Sequence, residues 1–93
     1  MLYATKISMK RGCENSESVL EIDQIYVDDF NGHANWYKKA DLYDLIRYKN
    51  GVIKVYRSPY PVLEAVLSVN GEKYVRSEAN NWKRDNLLAL PRY

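Results

Sequence analysis

The dipeptide Asn70-Gly71 places the strongest single constraint on this chain. It separates two runs with strand character, Val62 to Val69 and Lys73 to Ser77. Asn-Gly is the preferred pair for a two-residue type I′ turn, in which both central residues take positive φ. The sequence therefore predicts a C-terminal antiparallel hairpin. Pairing Val69 with Glu72 across that turn sets Leu67 opposite Tyr74 and Ala65 opposite Arg76. The hairpin has to join a common core, because 93 residues leave room for one domain, 1–93.

Upstream, Tyr3, Thr5, Ile7 and Met9 alternate with Lys6 and Ser8, so Leu2 to Met9 reads as a first strand. The polar stretch Lys10 to Ser18 reads as a loop. Val19 to Val27 is the second strand, with a register change near Gln24 that suits a bulge. Asp28 to Lys38 reads as irregular, with a turn at Asn31-Gly32 and with Phe30, Trp36 and Tyr37 as anchors. Leu42, Leu45 and Ile46 follow helical spacing and predict a helix over about Lys39 to Lys49. Asp41 and Asp44 near its start and Arg47 and Lys49 near its end match the helix dipole. Asn50-Gly51 stops it, and Lys38 is a poor N-cap. Val52 to Tyr56 is a third strand, broken by Pro59 and Pro61. The expected order is β-β-α-β-β-β. This is an α+β fold with a largely antiparallel sheet of about five strands and one helix. One helix cannot cover such a sheet, so its other face is wet or used for association.

Composition narrows the function classes. Fourteen basic and 12 acidic residues leave a net charge of +2, which argues against a nucleic-acid coat. The charge is uneven: residues 1–46 carry −3 and residues 47–93 carry +5. One cysteine, Cys13, cannot form an internal disulfide, which fits a reducing, cytoplasmic setting. No run approaches the roughly 20 apolar residues of a membrane span. Met1 to Lys10 lacks the apolar stretch of a signal peptide.

No catalytic constellation is visible, and the chain is expected not to be an enzyme. His33 and Cys13 are the only residues of their types and cannot complete a zinc site. Asp28-Asp29 is the one candidate carboxylate pair for a metal, and reads better as a solvated turn. No Gly-rich phosphate cradle opens the helix, so no cofactor is expected. Aromatic content is more informative: nine Tyr, two Trp and one Phe. In the basic half Tyr48, Tyr56, Tyr60, Tyr74 and Trp82 interleave with Arg47, Lys54, Arg57, Arg76, Lys83 and Arg84. Such a mixture can stack bases and grip phosphates, or it can simply fill a small sheet.

The C-terminal run reads Tyr74-Val75-Arg76-Ser77, then the polar Glu78 to Arg84, then Asp85-Asn86-Leu87-Leu88-Ala89-Leu90-Pro91. This pattern resembles the signature of domain of unknown function 3892. The resemblance covers about 20 residues closely, and an opening strand and a helix ending near Asn50-Gly51 agree with it more loosely. It implies a small α+β domain of bacteria and their viruses and carries no assigned activity. Within it, Asp85 and Asn86 can bond the loop backbone, Leu87 and Leu90 can plug the core, and Arg76 can pair with Asp85. The same place can alternatively form a ligand pocket.

The leading expectation is a non-catalytic binding module, alone or as a small homo-oligomer, that takes a protein partner on its uncovered sheet face as an inhibitor or adaptor. The alternative is a protein that sequesters a nucleotide or cyclic nucleotide, as a phage anti-defence protein could. Its candidate ligand residues are Arg57, Tyr74, Arg76, Trp82, Asp85 and Asn86. Single-stranded nucleic acid is a third, less favoured partner, and no membrane partner is expected.

Overall fold

A computed structural model describes residues 1–78 and 85–93. The elements are β1 (Leu2–Met9), β2 (Ile22–Asp28), β3 (Ala34–Lys38), α1 (Lys39–Lys49), β4 (Ile53–Val55), β5 (Leu63–Leu67) and β6 (Lys73–Ser77), with short 3-10 turns at Val19–Glu21 and Asn86–Ala89. The fold is α+β, as the periodicity predicts. The strands divide into a four-stranded sheet ordered β3-β2-β1-β4 and a two-stranded sheet of β5 and β6. β4 runs parallel to β1, and the other pairings are antiparallel. The sequence reading of about five strands misses β3, which the structure finds inside the stretch read as irregular. All but one of its residues are exposed, so it lacks the buried face that gives a strand its alternation.

Two register shifts in the β1–β2 ladder sort the side chains. Ala4, Ile7 and Met9 pair with Val27, Ile25 and Ile22, and all six are buried. They meet Leu42 and Tyr43 of α1, Ile53 and Val55 of β4, Leu63 and Val75 of the hairpin, and Leu87, Leu88 and Leu90. The core therefore lies on one face of the four-stranded sheet. The expected plug by Leu87 and Leu90 is present, joined by Leu88.

α1 occupies the predicted span. Lys38 supplies no side-chain cap, and Asn50 closes the helix in the left-handed region at φ 54°. The Gly51 N–H then donates to the Leu45 carbonyl at 2.9 Å.

The C-terminal hairpin forms, but its register is one residue from the predicted one. Leu67 pairs with Lys73, Val66 with Tyr74, Ala65 with Val75 and Glu64 with Arg76. Asn70-Gly71 does not form a two-residue loop. The Ser68 N–H donates to the Glu72 carbonyl at 2.9 Å, and Gly71 alone takes φ 80°. Ser68 Oγ accepts from the Asn70 and Glu72 amides and stabilises this wider loop. The shift puts Val75 and Leu63 inward, where burial decides register.

The chain end returns to the centre of the sheet. Ile7 donates to the Pro91 carbonyl and accepts from Tyr93, each at 2.9 Å, beside a parallel bridge to Arg92. The Arg92 guanidinium donates to the carbonyls of Glu14, Ser16 and Leu88 and ties down the loop after β1.

Candidate functional site

The face of the four-stranded sheet turned away from the core carries Tyr3, Lys6, Gln24, Tyr26, Trp36, Lys38 and Lys54, by the same registers that bury their neighbours. All of these side chains are partly or fully exposed. Tyr26 and Trp36 meet edge to face, with centroids 5.2 Å apart. Lys6 Nζ lies 4.6 Å from the Tyr26 ring centre and 5.0 Å from that of Tyr93.

Beside this pair stands a second aromatic group. Tyr3 packs against Phe30 and Tyr56, with centroids 5.5 and 5.3 Å away. Phe30 and Tyr56 are 5.2 Å apart, and Tyr56 and Tyr60 are 5.9 Å apart. Phe30, Tyr56 and Tyr60 remain 53%, 51% and 48% exposed. These four residues come from β1, the loop after β2, and the segment after β4. Phe30 and Tyr60 both sit at φ 58°, in the left-handed region that bulky side chains avoid. The loops around them hold the rings at the surface. Asp28 Oδ1 accepts the Phe30 N–H at 2.7 Å, and the Tyr60 N–H donates to the Arg57 carbonyl at 2.8 Å.

Trp82, with Lys83 and Arg84, lies outside the described residues; the other candidate ligand residues have definite places. Arg57 is exposed in the Tyr56 to Tyr60 segment at the edge of the aromatic group. Tyr74 and Arg76 share the outward side of β6, opposite Val66 and Glu64. Arg76 Nε donates to Glu64 Oε2 at 3.3 Å; its described partner is this cross-strand carboxylate rather than Asp85. Asp85 is instead a backbone clasp. Its Oδ2 accepts from the Ser77 amide and its Oδ1 caps the Leu87 amide, both at 2.9 Å. The Asn86 amide donates to Ser77 Oγ at 3.2 Å, and the Asn86 side chain is fully buried. The signature thus bonds the end of β6 to the final 3-10 turn.

The other chemical candidates are committed locally. The Asp29 carboxylate accepts from the Asn31 and His33 amides. The Asn31 bond chiefly, with the nearby His33, holds that carboxyl below its usual range. The His33 ring is exposed, with Nδ1 3.2 Å from Asp29 Oδ2. Cys13 Sγ lies 3.5 Å from Glu21 Oε2. Desolvation and then that carboxylate push the thiol up, away from the thiolate a nucleophile needs.

Opposite the aromatic face, a cavity of about 510 Å³ opens between α1 and the β2–β3 edge. Leu2, Val27, Leu42 and Leu45 supply its apolar lining, with Tyr37, Asp41 and Lys49 among its polar groups.

The family described as Protein of unknown function (DUF3892) matches residues 9–91. The chain belongs to the DUF3892 family. The match takes in α1, the hairpin and the Ser77–Asp85 clasp of this DUF3892 protein. It excludes Tyr3 and Lys6, which help to form the aromatic face. No curated protein and no solved structure matches the chain. No helix among the described residues is long and apolar enough to cross a membrane.

Sequence reasoning placed Tyr56 and Tyr60 among the aromatic residues of interest but missed Tyr3 and Tyr26, and it read Phe30 and Trp36 as loop anchors. Strict alternation puts Tyr3 on the face of Ile7 and Met9; only the register shift between Ala4 and Lys6 brings Tyr3 and Lys6 to the same outward face.

Proposed function

We propose that this protein is a non-catalytic binding module that holds a protein partner on the aromatic face of its four-stranded sheet. The supporting observation is the pair of left-handed aromatic residues, Phe30 and Tyr60, within one exposed ring cluster. A left-handed backbone costs a non-glycine residue about 1–2 kcal/mol. Strain of this kind persists where function requires it. Here it presents two rings that would otherwise turn inward or be replaced by glycine.

Tyr and Trp are the preferred anchors of protein interfaces, because they bury much area for few rotors. The rings of the cluster tilt against each other by 49° to 73°. They form a continuous apolar relief rather than a row of parallel faces on which successive bases could stack. Lys6, Lys38 and Lys54 share the face, and Asp28, at its edge, has Oδ1 engaged by the Phe30 amide. The fitting partner surface has an aliphatic or aromatic centre and carboxylates around it.

The test places a photo-crosslinking residue at Phe30 and, separately, at Val69 on the hairpin tip, in cells of the natural host. One protein with an acidic surface should be captured from position 30 and not from position 69. Purified, it should bind the wild-type chain and lose about tenfold or more in affinity to Tyr56→Ala. Binding unaffected by Tyr56→Ala and Phe30→Ala overturns the proposal. So does salt-sensitive binding of a fluorescent single-stranded oligonucleotide on this face, or sedimentation showing the face closed by a second copy.

A further inference from the structure

We infer that the groove between α1 and β3 is a second binding site, which takes an extended peptide segment as an added strand. It is independent of the aromatic face: Trp36 of β3 points to that face, whereas Tyr37 lines the groove.

β3 is an edge strand. Alternate residues of such a strand turn their backbone groups outward, where another strand can pair with them. The Trp36 N–H donates to its neighbour's side chain, Asn35 Oδ1, at 2.8 Å. A side chain thus occupies a donor that an incoming strand would use, and it can swing away. Inward of this edge, between α1 and the core face of the sheet, lies the cavity of about 510 Å³, with Leu2, Val27, Leu42 and Leu45 as its apolar lining. Strand addition beside a helix-walled groove supplies affinity through the main chain and specificity through alternate side chains.

The charges define the occupant. Asp41 and Lys49 line the groove, and neither forms an ion pair among the described residues. They stand eight positions apart on α1, about 12 Å along its axis at 1.5 Å per residue. In an extended peptide, residues four apart point the same way and lie about 13 Å apart. β3 passes into α1 without a loop, so Asp41, in the first turn, lies nearest the Tyr37 end of the groove and Lys49, eight positions on, lies toward the other end. A peptide added antiparallel to β3 therefore meets Asp41 first and Lys49 last. The matching segment has a basic residue, an aliphatic residue two positions later for the Leu42–Leu45 floor, and an acidic residue two positions after that.

The probe is an acetylated, amidated heptapeptide with Lys, Ile and Glu at positions two, four and six and Thr elsewhere. It is titrated into the ¹⁵N-labelled 93-residue chain. Shifts should concentrate on β3 and α1, and the Trp36 amide should gain exchange protection. The peptide with Lys and Glu exchanged should bind about tenfold more weakly. The double variant Asp41→Lys, Lys49→Asp should reverse that preference, and Asn35→Ala should tighten binding severalfold. Phe30→Ala should leave it unchanged, which separates this site from the aromatic face. Equal binding of both charge orders, binding that survives N-methylation of the peptide backbone, or no shift at millimolar peptide overturns the inference.

Discussion

Lys39 reaches across the fold to Glu72: its Nζ lies 2.6 Å from Glu72 Oε2 and 2.6 Å from the Leu20 carbonyl oxygen. The lysine side chain is 9% exposed and the glutamate 42%. One buried ammonium thus joins the start of α1, the turn before β2 and the hairpin loop. The bond from Lys39 holds the Glu72 carboxyl below its ordinary value of 4.5, against partial desolvation. A depressed folded-state pKa contributes stability that is fully present above the unfolded value and lost as pH falls through the folded one. Urea denaturation between about pH 6 and pH 3 should therefore show wild type losing stability more steeply below about pH 4.5 than Glu72→Gln. Parallel curves would show that Lys39 does not distinguish the charged carboxylate.

Asp85 accepts two backbone amides that β6 and the last turn otherwise leave unmatched. Asp85→Ala should cost about 2 kcal/mol, in the range of a lost cap with a second charge-assisted bond. For a domain of this size the melting temperature should fall by about 10 °C. Asp85→Asn, which keeps one acceptor oxygen, should fall between. If Arg76→Ala were the more damaging change, the signature would have to act through its cation instead.

At Phe30, glycine should be the better small residue. In ordinary positions Gly is less stable than Ala by about 0.5–1 kcal/mol. With φ at 58° the order should invert, Phe30→Gly exceeding Phe30→Ala by about 1 kcal/mol in chemical denaturation. Both remove the same ring, so the difference isolates the backbone.

Gly51 follows the left-handed C-cap under the helix end. A Cβ there would stand 2.6 Å from Leu45 Cγ and 3.1 Å from the Leu45 carbonyl oxygen. Gly51→Ala should cost about 1–3 kcal/mol through overpacking. A thermal melt unchanged from wild type would mean that the turn can move aside.

The helix was legible because three apolar residues at helical spacing and an Asn-Gly stop all agree. Ile7 and Met9 were legible as the inner face of β1 and the break near Gln24 as a bulge in β2, but the bulge at Thr5 was not: it buries Ala4 and turns Tyr3, which alternation placed beside Ile7, to the outer face. β3 was not, since Asn35, Tyr37 and Lys38 pack against no core. The hairpin register escaped because Asn70-Gly71 serves a two-residue turn and a wider loop equally well, and only the burial of Val75 and Leu63 separates them. Lys39 reads as an ordinary exposed helix residue; its burial depends on Glu72, 33 positions away, which no local pattern encodes. The ring cluster joins Tyr3, Phe30 and Tyr56 from distant segments, so interleaving of charges within the basic half could not reveal it.

The bridge between Ile7 and Arg92 bears on when the fold can close. β1 precedes the other strands and occupies the middle of its sheet, yet the Ile7 stretch of one flank waits for Pro91 to Tyr93. A nascent chain can pair β1 with β2 early and the Leu2 to Ala4 half of its other side with β4 next, but the Ile7 stretch of that side fills only after the hairpin and the final turn have left the ribosome. Closing a loop that spans nearly the whole chain makes a late and slow step. Until then the Ile7 stretch of the central strand is an open edge, and a chaperone or a second nascent chain has the same access to it as residues 91–93.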